Sequence, residues 1–262
     1  MRKSAMNRKW ISKQGMAWAL GALCVGGAQA QIAAPSPNGP VVRLAVGDLV
    51  GTTENGVDQF RGIPYAQAPV GVLRWAAPQT ARAWAGARDA SQFGAACPQA
   101  PEPFGDNVRN SEDCLFLNVY VPPSATSAQR PVIVWIPGSG QVLGSARQYD
   151  ASKLAQATQA VVVTMNYRLG ALGWLWTSGM AAERKGHNFA LQDQQEAMRW
   201  VRRHIGNFGG DPERITMAGE SVGSISASLH LVSPTAKGLF HRAILASGIA
   251  PPGLLSSAKA AE

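Results

Sequence analysis

The stretch ITMAGESVGSISASL, residues 215–229, joins a short apolar run, a serine flanked by glycines and a series of small residues. The run at residues 214–218 predicts a buried strand, and the small residues after Ser221 are compatible with a helix. Residues 219–223 have the pattern G-x-S-x-G, whose glycines let the chain turn sharply from a strand into a helix. We therefore expect a strand, a tight turn and a helix, with the hydroxyl of Ser221 projecting above a sheet.

Apolar runs of the same kind recur elsewhere in the chain, and each is followed by turn-forming residues. They lie at residues 115–121, 131–136, 160–167 and 241–247. Strands that are apolar on both faces are typical of a sheet covered by helices on both sides. Between them, residues 191–205 carry apolar side chains at helical spacing and are followed by glycines. This alternation predicts an α/β fold with a mostly parallel, doubly wound sheet.

The N-terminal part has a different pattern. Residues 41–50 and 57–63 alternate or cluster apolar side chains in short runs, as strands do, and Asn55-Gly56 between them is a typical hairpin turn. We expect a small antiparallel part here.

Residues 1–30 have the features of a secretory signal peptide. A basic start is followed by an apolar run at residues 16–26 and by the small-x-small site at residues 28–30. The apolar run of about 11 residues is shorter than the roughly 20 that span a bilayer, so a membrane anchor is the less favoured alternative. We expect cleavage after Ala30, a secreted or periplasmic protein, a single domain portion at residues 31–262, and no stable membrane insertion after cleavage.

The net charge of +8 is mostly a property of this leader. Five of the 24 Lys and Arg residues and none of the 16 Asp and Glu residues lie in residues 1–30, which leaves a net charge of +3 for the rest. The rest of the chain has no run of basic residues and no basic patch interleaved with aromatic residues. Nucleic acid is therefore not an expected partner.

Two cysteines, Cys97 and Cys114, lie outside the predicted signal peptide, which itself contains Cys24. In an oxidising compartment a disulfide between the two is favoured, and it would close a loop of about 18 residues and contribute about 3 kcal/mol. Two separate buried thiols are the alternative. Without clustered His or Asp residues these cysteines do not predict a metal site.

A glycine-rich loop, residues 137–140, follows the predicted strand at residues 131–136. Acyl transfer to a serine needs N–H donors that point at the developing oxyanion. This loop is a candidate source of such donors, and the N–H of Val222 beside the serine is another.

The order of several segments resembles the type-B carboxylesterase (cholinesterase-like) family of α/β-hydrolases. The resemblance runs from about Val41 to Gly248, and it includes FRGIPYAQAPVGVLRW, SEDCLFLNVYVP, PVIVWIPGSG and AGESVG. It implies an α/β-hydrolase fold, hydrolysis of small-molecule carboxylic esters, and no metal or organic cofactor.

Residue by residue, the resemblance implies that Ser221 is the nucleophile and that Glu220 beside it favours a protonated base. The N–H groups of Ser139, Gly140 and Val222 would form the oxyanion hole. The family loop usually has three consecutive glycines, so Ser139 is a departure, and its β-carbon is disfavoured wherever φ must be positive. Val222 stands where alanine is usual. The implied structural pairs are the disulfide Cys97–Cys114 and the ion pairs Arg61–Glu112 and Arg168–Asp193.

The base is the missing part of this site. In α/β-hydrolases the order is serine, acid, histidine, and only two of the four histidines, His230 and His241, follow Ser221. His230 is nine residues on along the predicted helix, which places it about 13 Å away along the axis. His241 opens the next strand at the opposite end of the sheet, and Glu262 is the one acidic residue after the serine.

The resemblance therefore implies that the triad acid and histidine lie beyond residue 262, and that this chain is the N-terminal portion of an esterase whose fold is incomplete at the C-terminus. Its last predicted strand, residues 242–246, would leave an uncovered apolar edge. Two alternatives remain open. One is a non-catalytic binding protein on the same scaffold, and the other is an inactive truncated product.

Overall fold

The computed structural model describes residues 39–101, 109–123, 128–182 and 186–250. All of them belong to the unit Ile32–Glu262. The predicted signal peptide, with Cys24 and the cleavage site after Ala30, lies outside the described residues. Within the described ranges, no helix has both the length and the apolar composition needed to cross a bilayer.

Ten strands and five α-helices form within these ranges. The strands are β1 Val41–Leu44, β2 Gly47–Val50, β3 Thr52–Glu54, β4 Val57–Pro64, β5 Ala87–Asp89, β6 Phe116–Val121, β7 Arg130–Ile136, β8 Val161–Met165, β9 Gly210–Glu220 and β10 Arg242–Ala246. The helices are α1 Ser152–Thr158, α2 Gly170–Trp174, α3 Ser178–Ala182, α4 Phe189–His204 and α5 Val222–Val232.

Seven strands form the main sheet, in the order β10-β9-β7-β8-β6-β4-β3. Neighbouring strands from β10 to β8 pair in parallel, and those from β8 to β3 pair antiparallel. All five residues of β8 are buried, as the continuous apolar run predicts for a central strand. The expected α/β class is confirmed, and parallel pairing is confined to four of the seven strands.

Side chains of alternate residues in β8 enter two separate apolar clusters, one on each face of the sheet. Val161, Val163 and Met165 join the larger cluster, to which α4 also contributes. Val162 joins the smaller cluster under α1. The sheet is therefore covered on both faces, which is the doubly wound arrangement that the sequence predicts.

The N-terminal part contains two tight hairpins. Residues 41–50 form β1 and β2 as an antiparallel pair, and β5 adds to them in parallel to make a separate three-stranded sheet. The predicted turn at Asn55 and Gly56 joins β3 to β4, with φ of 51° and 76° at these residues. Positive φ at both positions is what a two-residue hairpin turn requires.

The predicted disulfide is present, since Cys97 and Cys114 are bonded and their Cα atoms are 4.9 Å apart. The alternative of two separate thiols is therefore wrong. The Arg168–Asp193 pair is present too. Both side chains are almost fully buried, and the carboxylate accepts 2.7 Å hydrogen bonds from Nε and Nη2 of the arginine. Removing one partner of such a pair typically costs 3–5 kcal/mol, because a charge stays buried without its partner.

The expected Arg61–Glu112 ion pair is wrong. Arg61 lies on β4, and its guanidinium bonds Glu54 at the end of β3, 2.7 Å away in the same hairpin. Glu112 precedes β6 and bonds Arg74 instead, with Nε and Oε2 2.6 Å apart. The hairpin pairs Glu54 with Val57, and the side chain of Gln59, between Val57 and Arg61, bonds both Glu54 and Arg61. This contact depends on the fold of the hairpin rather than on residue type.

The strand order places the site. The connection from β7 leads to β8 on one side, whereas β9 pairs with the other side of β7, so the order of strands reverses there. Ligand sites of open α/β sheets lie at the carboxyl ends of the strands at such a reversal. Ile136 pairs with Gly219 in this register, so the loops that follow β7 and β9 begin side by side.

At one edge of the main sheet, β10 is the outermost described strand. Its side chains Ile244 and Leu245 are exposed. This agrees with the uncovered apolar edge that the sequence predicts.

Candidate active site

Ser221 stands alone between β9, which ends at Glu220, and α5, which begins at Val222. Its φ of 54° and ψ of −125° lie outside the regions that residues with a β-carbon normally occupy. Such a conformation costs on the order of 1–3 kcal/mol and persists only where the surrounding structure imposes it. The sharp turn predicted from the G-x-S-x-G pattern is therefore present.

The two glycines of the pattern are required by close packing. A β-carbon on Gly219 would lie 2.5 Å from the carbonyl oxygen of Gly223. A β-carbon on Gly223 would lie 2.2 Å from the carbonyl oxygen of Ile136 in β7. Only glycine at both positions lets α5 start this close to the end of the sheet.

Strand β10 and the residues after it hold the turn in place. The N–H of Ser221 donates a 2.9 Å hydrogen bond to the carbonyl oxygen of Ala246. Gly248 packs against the turn so closely that a β-carbon there would lie 2.5 Å from the carbonyl oxygen of Ser221. The hydroxyl of Ser224 in turn donates to the carbonyl oxygen of Gly248. The strained conformation is thus fixed from outside the turn itself.

The glycine-rich loop lies directly against this turn. A β-carbon on Gly138 would lie 3.4 Å from Cβ of Ser221 and 3.0 Å from Oε2 of Glu220. The next three residues, Ser139, Gly140 and Gln141, all have positive φ, at 77°, 71° and 65°. Ser139 therefore has the unfavourable conformation that the sequence suggested, with a β-carbon at a positive φ that favours glycine.

The three predicted oxyanion donors lie on the two segments that meet here. Val222 is the first residue of α5, so its N–H has no acceptor inside the helix. Ser139 and Gly140 are exposed. In the described part of the chain, their N–H groups and that of Val222 make no hydrogen bond. These N–H groups are therefore unused donors on the two segments that meet at Ser221.

Two tyrosines that the sequence analysis did not identify support the loop. The hydroxyl of Tyr167 donates a 2.8 Å hydrogen bond to the carbonyl oxygen of Pro137. Burial raises the pKa of Tyr167, so this hydroxyl keeps its proton. The hydroxyl of Tyr149 accepts a longer bond, 3.4 Å, from the N–H of Gly138. Tyr167 closely follows β8, the neighbour of β7, and this position is the signal that would have identified it.

All four histidines fall within the described residues, and none of them bonds Ser221. His230 lies inside α5, is buried, and its Nε2 is 2.8 Å from Oε1 of Gln194. Burial lowers the pKa of His230 to about 4, so the ring is neutral near pH 7. Nδ1 of His241 accepts a 3.1 Å hydrogen bond from the N–H of Ile215, near the start of the buried part of β9.

The other two histidines precede the serine. His204 is the last residue of α4, and its ring packs 5.0 Å from that of Trp200. His187 is exposed, and its carbonyl oxygen accepts a 2.7 Å hydrogen bond from the side chain of Gln192. Each histidine thus has a packing or surface position without a hydrogen bond to Ser221. Among residues 39–101, 109–123, 128–182 and 186–250, no three His, Cys, Asp or Glu side chains are grouped to hold a metal ion.

Comparisons with known proteins agree on one group. The model of the carboxylesterase family matches residues 38–260. The chain is 44% identical over 214 residues to the para-nitrobenzyl esterase of Bacillus subtilis (strain 168), which covers 79% of this chain and 43% of that protein. It is 44% identical over 217 residues to the cocaine esterase of Oryctolagus cuniculus, covering 78% of this chain and 40% of that protein.

A solved structure of a thermophilic PNB esterase superimposes with a TM-score of 0.76 at 43% sequence identity. The superposition covers 80% of this chain and 44% of that one. The chain therefore spans less than half the length of the relatives it matches.

Proposed function

The chain belongs to the carboxylesterase family, and from that premise we propose that it carries the nucleophile and the oxyanion hole of a serine hydrolase of small-molecule carboxylic esters. The observation that carries the proposal is the conformation of Ser221. A residue with a β-carbon is held at φ of 54° and ψ of −125° between a strand and a helix, beside N–H groups that have no acceptor within the described residues.

In the proposed reaction, Oγ of Ser221 attacks the ester carbonyl carbon while a base takes the hydroxyl proton. The carbonyl oxygen becomes an oxyanion that accepts hydrogen bonds from the N–H groups of Ser139, Gly140 and Val222. The intermediate collapses, the alcohol leaves with a proton, and the acyl group stays on Ser221. Water then attacks the acyl-enzyme in the same way and releases the acid.

The base and its supporting carboxylate are proposed to come from outside these 262 residues. The support is the placement of the four histidines, each of which packs or lies exposed without bonding Ser221. Glu220, whose carboxylate lies beside Gly138, is proposed to favour the protonated form of that base. Reading the coding sequence past codon 262 tests this step. An acidic residue followed by a late histidine supports it, and an immediate stop codon contradicts it.

The non-catalytic alternative has its own support, since Ser139 and Val222 both depart from the family pattern. A binding role does not require the strained turn at Ser221, and the esterase proposal accounts for it. We also propose export of the protein, on the pattern of residues 1–30. N-terminal sequencing of the mature protein should then start at Gln31, and an intact N-terminus would contradict export by this signal.

A fluorophosphonate probe tests the catalytic proposal, because it reacts with a serine only where a base and oxyanion donors activate the hydroxyl. We expect the folded full-length protein to be labelled at Ser221, as located by peptide mass spectrometry. Ser221→Ala should abolish labelling. Ser178→Ala is the control, since Ser178 is the first residue of the short helix α3 and lies on the surface, and it should leave labelling unchanged. A folded, unlabelled protein would support the binding alternative instead.

A further inference from the structure

The side chain of Gln99 and the backbone of Gly144 are joined by two hydrogen bonds. The N–H of Gly144 donates to Oε1 of Gln99 over 2.9 Å, and Nε2 of Gln99 donates to the carbonyl oxygen of Gly144 over 3.1 Å. The same Nε2 also donates to the carbonyl oxygen of Cys97, 3.2 Å away. The side-chain amide thus pairs with Gly144 as a neighbouring strand would, and it is tied to a disulfide-bonded residue.

Gly144 packs directly behind the residues that are proposed to hold the oxyanion. A β-carbon on Gly144 would lie 2.8 Å from the carbonyl oxygen of Gly138 and 3.5 Å from Cβ of Ser139. Leu143, the residue before it, donates its N–H to the carbonyl oxygen of Ser139 over 3.2 Å. A displacement of Gly144 would therefore be passed on to Ser139.

Asn166 makes a similar connection to the backbone of Ala146, two residues after Gly144. Its Oδ1 accepts a 2.8 Å hydrogen bond from the N–H of Ala146. Its Nδ2 donates to the carbonyl oxygens of Ala95, at 2.9 Å, and Cys114, at 3.1 Å. Two side-chain amides thus attach the end of the loop to both of the segments that the Cys97–Cys114 disulfide joins.

The loop needs such outside support because of its own conformation. Ser139, Gly140 and Gln141 are three successive residues with positive φ, and two of them have a β-carbon. Without external contacts, such residues would favour negative φ, and their N–H groups would turn away from Ser221. Oxyanion donors act only when they are held in place before the reaction.

We propose that Gln99 is a positioning residue for the oxyanion loop. It holds Gly144 against the disulfide-bonded segment, and through Gly144 it holds Ser139 and Gly140 with their N–H groups beside Ser221. Gln99 itself touches neither the substrate nor the reacting atoms. The inference rests on the proposed function, because it concerns the oxyanion hole of that reaction.

The test uses the full-length protein with Gln99→Met, which keeps the approximate volume of the side chain and removes both hydrogen bonds to Gly144. Gln92→Met is the matched control, because Gln92 is an exposed glutamine seven residues away whose side chain donates a hydrogen bond to the hydroxyl of its neighbour Ser91. The first measurement is amide hydrogen exchange of residues 137–148. We expect faster exchange in Gln99→Met and no change in Gln92→Met.

The second measurement is the hydrolysis of a short-chain nitrophenyl ester. We expect kcat of Gln99→Met to fall about tenfold with KM within about twofold, because the oxyanion contacts form only in the transition state. The inhibition constant of a trifluoromethyl ketone, which forms an oxyanion on the serine, should rise by the same factor. A role in stability alone would not move these two quantities together.

Unchanged exchange in residues 137–148, or unchanged kcat and inhibition constant, would overturn the inference. If the unsubstituted protein shows no hydrolysis that depends on Ser221, the proposed function fails. The exchange measurement then decides by itself whether Gln99 holds the loop.

Discussion

Ser221 immediately precedes helix α5 and His230 lies near the other end of that helix, and these two residue types, both common in active sites, have opposite environments. At the first end, the backbone of Ser221 is strained, and its hydroxyl makes no capping hydrogen bond to the helix. Near the second end, His230 is buried in regular helix and bonds Gln194. The difference shows that residue type does not assign a role. The strained backbone beside unused donors supports the proposed chemistry at Ser221, whereas a ring that is buried in regular helix and bonded to Gln194 through Nε2 supports a packing role for His230.

The largest expected difference between the two ends is in catalysis. In the full-length protein, Ser221→Ala should lower kcat for ester hydrolysis on the order of 10⁶-fold, because the proposed nucleophile is removed. His230→Gln should leave kcat unchanged. Steady-state kinetics of both variants measures this, and a comparable loss of kcat in His230→Gln would remove the distinction between the two ends.

Replacing the glycines near the two ends of α5 by alanine should also have different effects on stability. Gly223→Ala places a β-carbon 2.2 Å from a backbone oxygen of β7, so we expect it to lower the free energy of unfolding by at least about 3 kcal/mol. Gly238, in the turn after α5, has φ of 78° and no atom within 4 Å of an added β-carbon. Gly238→Ala should therefore cost only about 1 kcal/mol, from its backbone conformation. Urea unfolding measures both values, and equal costs would contradict the close packing at Ser221.

His230 should make the free energy of unfolding depend on pH, whereas Ser221 should not. Burial lowers the pKa of His230 from 6.5 to about 4, so the unfolded chain binds more protons than the folded one between these values. Stability is then fully present above about pH 6.5 and falls by about 3 kcal/mol as the pH drops to 4.

The measurement is the free energy of unfolding against pH for the unsubstituted protein and for His230→Gln. The variant should lose this part of the pH dependence. An identical pH dependence in both proteins would mean that His230 is not buried in the neutral form.

The smallest expected effect concerns backbone strain at Ser139, which, like Ser221, has a β-carbon and a positive φ. Ser139→Gly removes a β-carbon at φ of 77° and should raise the free energy of unfolding by about 1 kcal/mol. Ser178→Gly, at an exposed helix start, should lower it instead, because glycine is a poorer helix residue. Thermal unfolding of the two variants checks the signs, and destabilisation by Ser139→Gly would contradict the strained loop.

Local patterns predicted the central elements well. The run at residues 131–136 became β7 with one added residue, and the apolar spacing at residues 191–205 became α4. These patterns work because the periodicity of buried side chains follows directly from strand and helix geometry. Strand β9 is longer than the predicted run, since Gly210 pairs with Arg130 across an irregularity in the sheet. That extension depends on the neighbouring strand, and the local sequence does not indicate it.

Part of the candidate site was likewise predicted from local sequence, and part was not. The motif at residues 219–223 and the glycines of the loop were predicted, because tight turns need particular residues at particular positions. The supports were not predicted. Gln99 is 45 residues from Gly144, and Tyr167 is 30 residues from Pro137. Any glutamine or tyrosine carries the same donors and acceptors, so residue type alone does not indicate which distant backbone group it meets.

By itself, the sequence determined the strand, turn and helix around Ser221, the covered central strands, the pair of cysteines and the family resemblance. Each of these follows from local backbone preferences or from segments that occur in a fixed order. Only the tertiary structure decided that the loop after β7 meets the turn after β9, that Arg61 bonds Glu54, and that Gln99 supports Gly144. The physical reason is that these contacts depend on the order of strands in the sheet, which is set by burying both of its faces at once.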